Sequence, residues 1–463
     1  MSIPTRIGIH TFVLTGSMVL ILVGLSSCFG SKKTTLPLPE SPRTEEPALP
    51  EDPETPEPMD TLVLQELDTL RAPVPVVDQA TEPHSDAAVP EEDMTRMYKD
   101  EYALTVLLPF FANDSTSLAT NRVAAWSLDF YLGFKLAFAN LQPSDPHFTI
   151  QVLDTRANDA VLQRIIDKHL LEGQDVIVGP YRTSLATTVA EYVQDRPTLL
   201  VSPYSASTRL GNSNPHYLQL NPSLEAHLRS IWDFLRQNSS RSDPIVLLHG
   251  RDAGELAKQN IWSTWVDSLP ALDRKRYLFV SFDEAAGMEL EEIQVDSLLQ
   301  SDVINHLVFP SWDESMVQAM MSKVSSGLLD KQVRLFGLPQ WMDFDRIAPS
   351  YFNSLNVHVS SADFLNESDP TIRRLKTSYL AAYANPLTIQ AAWGFHCGEF
   401  VRESLVRDGA LFHRYLDQGS KRSANRLAPK LMVIREPNGT LNRIENRNIQ
   451  ILKFVDGRMV PAK

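Results

Sequence analysis

From Phe148 to Ser205 three short apolar runs alternate with two stretches of helical period. The runs are FTIQVLDT, QDVIVGPY and PTLLVSPYS; between them stand NDAVLQRIIDKHLLEG and RTSLATTVAEYVQDR. Val161, Ile165, Ile166, His169 and Leu170 share one face of the first stretch, and Leu185, Val189, Tyr192 and Val193 one face of the second. Side chains three and four apart lie together on a helix, whereas runs apolar at every position suit parallel strands covered on both faces. The spacing therefore predicts βαβ units with right-handed crossovers.

The pattern continues in both directions. Upstream, Thr105–Phe110 reads as a strand and Ala124–Leu141 as an amphipathic helix, with Trp126, Phe130, Phe134, Leu136 and Phe138 toward the core. A fifth strand lies within Asn212–Ser223, in YLQLNPS. A second alternation then begins. Its helices are Ala226–Asn238, Ala253–Leu269, Met288–Gln300 and Asp313–Leu328, and its strands Ile245–His249, Tyr277–Phe282, His306–Pro310, Val333–Leu338 and Val357–Ser360. Residues 368–384 and 388–407 are helical, and the chain closes with Leu431–Arg435 and Ile449–Val455 beside the hairpin signals Asn438-Gly439 and Asp456-Gly457. The fold class is α/β. Two series of βα units predict two lobes, each a mainly parallel sheet flanked by helices, with a ligand cleft between them.

The N-terminal hundred residues read differently. Arg6 precedes an apolar run, Phe12–Leu25, which ends in Leu25-Ser26-Ser27-Cys28. That is the layout of a secretory signal, and its end resembles the bacterial lipobox, in which the cysteine is acylated; an uncleaved anchor is the alternative. Acyl chains add about 0.8 kcal/mol per buried methylene, enough in combination to hold a protein at a membrane. Cys397 is the only other cysteine, so an acylated Cys28 leaves no disulfide. Residues 31–101 hold twelve prolines, 18 acidic and 6 basic residues, a composition that cannot bury enough apolar surface to fold. The chain's net charge of −14 comes mostly from this segment and says little about the lobes. As a coil the segment spans on the order of 50 Å. Its one apolar patch, Leu62–Leu67, reads as a transient helix or a docking segment. The domains are thus 1–27 (lipoprotein signal), 28–101 (acylated cysteine and disordered linker) and 102–463 (the two lobes).

The run TVLLPF, AAWSLDFYLGFKLA, VLDT, DVIVGPY followed by Thr183-Ser184, LLVSPYSAST and YLQLNPS resembles the type 1 periplasmic-binding fold. Within it the chain is most similar to the leucine/isoleucine/valine-binding group of transporter receptors, and YLAAYANPLTIQAAWGFHCGEFVRESL matches the family's return helices. The resemblance covers roughly residues 102–463 and implies three crossings between lobes. Lobe one is then about 102–221 with 360–430, and lobe two about 222–359 with 431–463. It also implies an anionic ligand group held by hydroxyls and backbone N–H groups. The matching residues are Thr183 and Ser184, which also suit a plain helix cap, and the segment Tyr204-Ser205-Ala206-Ser207. The family's ligand-binding Thr aligns with Ala206, flanked by Ser205 and Ser207. The family's ammonium-binding acid has no counterpart in Phe336-Gly337-Leu338-Pro339-Gln340-Trp341; the first acid is Asp343. Trp312, Asp313, Trp341 and Asp343 are the candidates for a different pocket wall, with core packing the alternative for both tryptophans. Trp341 completes the expected ligand contacts.

Catalytic and metal chemistry find no footing. The sequence has no G-x-S-x-G, H-E-x-x-H, P-loop or G-x-G-x-x-G, its histidines are scattered, and no basic patch interleaves with aromatics for nucleic acid. His396-Cys397 sits in an apolar helix and reads as a core thiol. No catalytic residue, metal or cofactor is expected. The expectation is a lipid-anchored, non-enzymatic solute-binding protein of the bacterial envelope, at the outer membrane facing the periplasm, taking a small polar or anionic ligand and serving a transporter permease. The alternative is a regulatory lipoprotein of the same fold, such as an activator of a cell-wall synthase.

Overall fold

The computed structural model describes residues 62–63, 97–113, 120–139, 141–211, 213–282, 295–418 and 429–462. The signal segment, Cys28, almost all of the linker and most of the helix expected over Met288–Gln300 lie outside these residues. Leu62 and Val63 are extended rather than helical. They form strand β1, which pairs antiparallel with β3.

In the first lobe β2 (Glu101–Leu108), β3 (His147–Asp154), β4 (Val176–Val178), β5 (Leu199–Ser202) and β6 (Tyr217–Gln219) are joined to β12 (Leu431–Arg435) and β13 (Leu441–Asn446). The eight-stranded sheet runs β1-β3-β2-β4-β5-β6-β13-β12. Leu104, Val106 and Leu108 face Phe130, Phe134 and Phe138 on one side, and Leu107, Ile177 and Leu200 face Val161, Ile165, Leu185 and Val189 on the other. The strands are apolar at every position because both faces are covered by helices. The second lobe sets β7 (Ile245–His249), β8 (Tyr277–Ser281), β9 (Ile304–Val308), β10 (Gln332–Gly337), β11 (His358–Ser361), β14 (Gln450–Val455) and β15 (Arg458–Pro461) in the order β15-β14-β11-β10-β9-β7-β8.

This corrects the expected lobe boundary. Leu431–Asn446 belongs to the first lobe, because β13 pairs parallel with β6 and carries β12 with it. The segment 441–446, LNRIEN, is too polar to signal a strand in the sequence. Only β14 and β15 extend the second sheet.

Three crossings join the lobes, and all leave or enter at carboxyl ends of strands. The chain leaves β6 at Gln219 for the helix Leu224–Asn238, leaves β11 at Ser361 for the helix Pro370–Tyr383, and leaves β13 at Asn446 for Gln450, which pairs opposite Ser361. The carboxyl ends of both sheets therefore border one junction. Buried Glu445 ties the first and third crossings together. Its carboxylate accepts from the Ser223 backbone N–H at 2.6 Å, from Arg443 Nε at 2.9 Å, and pairs with Arg447 at 3.1 Å. The Asn446 amide donates to the Leu220 carbonyl at 3.0 Å.

The return helix Ile389–Asp408 is held against Arg122–Leu136 by backbone approach. A Cβ on Gly133 would stand 1.8 Å from the Ala391 carbonyl oxygen, and one on Gly394 1.9 Å from that of Phe130. Cys397 is fully buried in this contact, and burial pushes its thiol far above the usual range. Among the described residues no helix is long and apolar enough to cross a membrane.

Candidate functional site

The junction is lined by the residues that follow each strand, because open parallel sheets leave a crevice beyond their carboxyl ends. After β4 the backbone turns at Gly179, whose φ of +121° and closeness to the Leu107 carbonyl exclude a side chain. That turn delivers Tyr181 and the N-terminus of the helix Thr183–Val193. Arg182 occupies the N-cap and makes no side-chain capping bond, whereas every other described helix of eight or more residues carries one. The first-turn N–H groups, which favour an anion, point at the junction without a cap.

After β5 the loop 203–208 lies alongside. Thr183 Oγ1 and Ser205 Oγ share a hydrogen bond at 3.2 Å, and Ser205 Oγ accepts from the Ser207 backbone N–H at 3.3 Å. The loop is fixed from two sides: Asn221 donates to the Tyr204 carbonyl at 2.6 Å, and Trp393 Nε1 donates to the Pro203 carbonyl at 3.0 Å. Tyr204 stacks on Tyr181 with centroids 3.7 Å apart, and Trp126 meets both edge-on at 5.2 and 5.4 Å. Burial, and then the bond to Tyr204, hold the Tyr181 hydroxyl well above its ordinary pKa. Behind Ser205 the Ser202 and Tyr217 hydroxyls are buried with no well-directed partner. Burial raises Tyr217 to about 12 against the opposing pull of Ser202 and Ser205. The structure thus brings Thr183, Tyr204, Ser205 and Ser207 together. Ser184 stands exposed on the same first turn, and Ala206, also exposed, supplies no hydroxyl.

The second lobe's side differs from expectation. Trp341 does not line the junction: it is 1% exposed, folded back over Gly337, with Nε1 donating to the Ser311 carbonyl at 2.7 Å. The absence of a side chain at Gly337 creates the slot that the indole fills. Trp312, after β9, is the exposed one at 53%. Beneath its ring, 4.2 Å from the centroid, lies the ammonium of Lys258, 1% exposed, which donates to the Pro310 carbonyl at 2.7 Å and pairs with Glu255. Arg251, after β7, donates to Ser281 Oγ at 3.3 Å. Asp252 and Asp313 cap their own helices. Asp343 is exposed, and partial burial with Asp363 and Asp345 nearby raises its pKa.

The sequence does carry a signal for Lys258, one that the apolar pattern alone hides. Lys258 stands four and eight residues before the buried Trp262 and Val266, so it occupies the apolar stripe of its helix. A cation on that stripe is a buried charge. Among the described residues no group of His, Cys, Asp or Glu has metal-ligand geometry.

No protein-family model matches this chain, and none of the curated proteins does. Solved structures do resemble it. One described as a branched-chain amino acid ABC transporter from Rhodospirillum rubrum is 12% identical, covers 78% of this chain and 100% of its own, and has a TM-score of 0.55. A branched-chain amino acid ABC transporter periplasmic ligand-binding protein from Burkholderia xenovorans LB400 is 13% identical, with coverages of 78% and 94% and a TM-score of 0.49. A leucine-binding protein from Thermotoga maritima MSB8 is 12% identical, with coverages of 78% and 98% and a TM-score of 0.43. At such identities the likeness is one of fold, and the fold is the type 1 periplasmic-binding fold.

Proposed function

We propose that the chain is a solute-binding protein of the bacterial envelope, lipid-anchored through Cys28, that holds a small polar or anionic ligand between its lobes without chemistry on it. One observation carries the reading. An uncapped helix N-terminus and two joined hydroxyls, Thr183 and Ser205, meet at the carboxyl ends of β4 and β5, with the buried Ser202 and Tyr217 hydroxyls behind them. Such a cradle favours an anionic group. The partner of a protein of this kind is a transporter permease, which takes the ligand from it. The anchor reading rests on Leu25-Ser26-Ser27-Cys28, and the lack of an acid just after Cys28 favours the outer membrane, facing the periplasm. A thermal-shift and calorimetric screen of amino acids, carboxylates and amides tests the cleft. Thr183→Ala with Ser205→Ala should weaken a carboxylate ligand by about ten- to a thousandfold, each hydrogen bond to a charged group being worth roughly 1.5–3 kcal/mol. Ligand binding unmoved by that pair sinks the site. Cys28→Ala should release the protein from membranes; a variant that resists salt and carbonate washing there refutes the anchor.

A second reading rests on the long acidic segment 31–101 and on the lack of an acid in Phe336-Gly337-Leu338-Pro339-Gln340-Trp341, the stretch that resembles the family's acid-bearing one. It makes the same fold a regulatory module on a tether, for instance an activator of a cell-wall synthase. Absence of any ligand, together with measured affinity for such a synthase, favours it over the first.

A further inference from the structure

Lys258 poses a question of its own. A buried ammonium is costly to desolvate, and an apolar side chain of similar length would suit the stripe it shares with Trp262 and Val266. Its ammonium is saturated by the Pro310 carbonyl, by Glu255 and by the inner face of Trp312. What this arrangement achieves lies outside the core: it fixes a half-exposed indole at the carboxyl end of β9, facing the junction. Across that junction the exposed side chain is again a held aromatic. Tyr204 is 39% exposed, stacked on Tyr181, with its loop tied to Asn221 and Trp393. Two preorganised aromatic surfaces thus follow the carboxyl ends of strands, β5 in one lobe and β9 in the other, that border the junction.

From these surfaces, and resting on the solute-binding reading above, we infer that the ligand is an aromatic carboxylate, with its ring on the outer face of Trp312 and its carboxylate at Thr183 and Ser205. Charge narrows the class. A cation behind the indole draws π-density inward and makes the outer face a poor seat for a second cation but a good one for an electron-rich ring. Arg251 adds positive charge at the neighbouring strand end, while Asp252 and Asp313 are engaged with the backbone of their own helices. Aliphatic acids satisfy the hydroxyls but leave the indole unused.

The test is calorimetry of the full chain with 4-hydroxybenzoate, cyclohexanecarboxylate and L-leucine, read beside tryptophan fluorescence. 4-Hydroxybenzoate should bind at least about tenfold more tightly than the other two. Trp312→Ala should weaken it by about tenfold or more and leave cyclohexanecarboxylate within about threefold, while Trp312→Phe, which keeps an aromatic face, should stay within about threefold of the parent. Melting temperatures of both variants near the parent's show that the loss is not unfolding. Thr183→Ala with Ser205→Ala should weaken both ring acids alike. Equal affinity for the aromatic and saturated acids, tighter binding of leucine, or indifference to Trp312→Ala overturns the inference while the cleft reading stands. No binding of any of the three overturns the inference and removes the support for the solute-binding reading as well.

Discussion

The two lobes share one architecture but meet the junction with opposite chemistry. The first presents hydroxyls, backbone N–H groups and stacked tyrosines at the ends of β4 and β5. The second presents an indole backed by a buried ammonium, with Arg251 beside it and helix-capping carboxylates turned to their own backbones. The difference teaches that the binding elements of this fold separate into two kinds. Backbone and hydroxyl donors come with the strand–turn–helix geometry itself, whereas the opposite wall is written by individual side chains. The first kind is carried by topology, and the second is where a chain sets its own ligand.

The comparison presumes that both faces are held to one junction, and the largest expected effect concerns that junction. Glu445→Ala takes the buried carboxylate from Arg443 and Arg447, leaving them the half-exposed Glu225, and removes the acceptor of the Ser223 N–H. Breaking a buried pair in this way costs about 3–5 kcal/mol. Calorimetric unfolding should show the drop and separate into two transitions as the lobes uncouple. A single transition with a small shift would place the coupling elsewhere.

Next in size is acid sensitivity, which the second lobe's sheet shares with the first lobe's His216 and His413, both also lowered by burial. Burial lowers His306 and His358 to about 4, and a carboxylate of Asp243 3.6 Å from His306 does not outweigh it. His227, at the junction, is also lowered to about 4 by burial. These rings are neutral when folded and take up protons when unfolded, so stability rises with pH. It is lost as pH falls from the ordinary value of 6.5 toward about 4, by roughly 1.4 kcal/mol per unit for each ring. His306→Phe should flatten the slope of unfolding free energy between pH 6.5 and 4. An unchanged slope would show that the ring is already protonated in the fold.

Smaller again is the cost of the first lobe's hydroxyls. Ser205→Ala removes a neutral hydrogen bond with Thr183 and should lower stability by about 1 kcal/mol, measured by urea unfolding, whatever it does to binding. A loss of several kcal/mol would mean that Ser205 supports the loop rather than a ligand.

These differences explain what was legible in the sequence. The alternation of buried runs and amphipathic stretches yielded both sheets and the helices between them, because core packing on both faces leaves few choices of residue. The nearness of Thr183, Tyr204, Ser205 and Ser207 to one another was legible because they directly follow strands, so locating the strand locates the residue. The boundary of the first lobe was misplaced because β13 owes its position to pairing with β6 and to the charges of Arg443 and Glu445, not to apolar alternation. Trp341 and Trp312 were indistinguishable by composition. What separates them is the slot over Gly337 and the ammonium of Lys258, which is 54 positions from Trp312 in the chain and joined to it only by the sheet.

The smallest stability effect discriminates most finely between the two faces. Lys258→Met with Glu255→Gln replaces a buried ion pair by groups of similar length, and such exchanges are often neutral or stabilising. Glu255 already keeps one carboxylate oxygen without a partner, which adds to the cost of the charged pair. The melting temperature should therefore stay the same or rise. The indole should nonetheless lose its fixed support, because an ammonium is attracted to a ring face and a thioether only weakly. Acrylamide quenching, taken as the difference between this variant with and without Trp312→Phe, should report a more accessible Trp312 than in the parent. The Tyr181–Tyr204 stack should be unaffected, since it is held by the bonds of Asn221 and Trp393. Unchanged quenching would mean that the ring is held by its neighbours alone and that Lys258 has no part in shaping the second face.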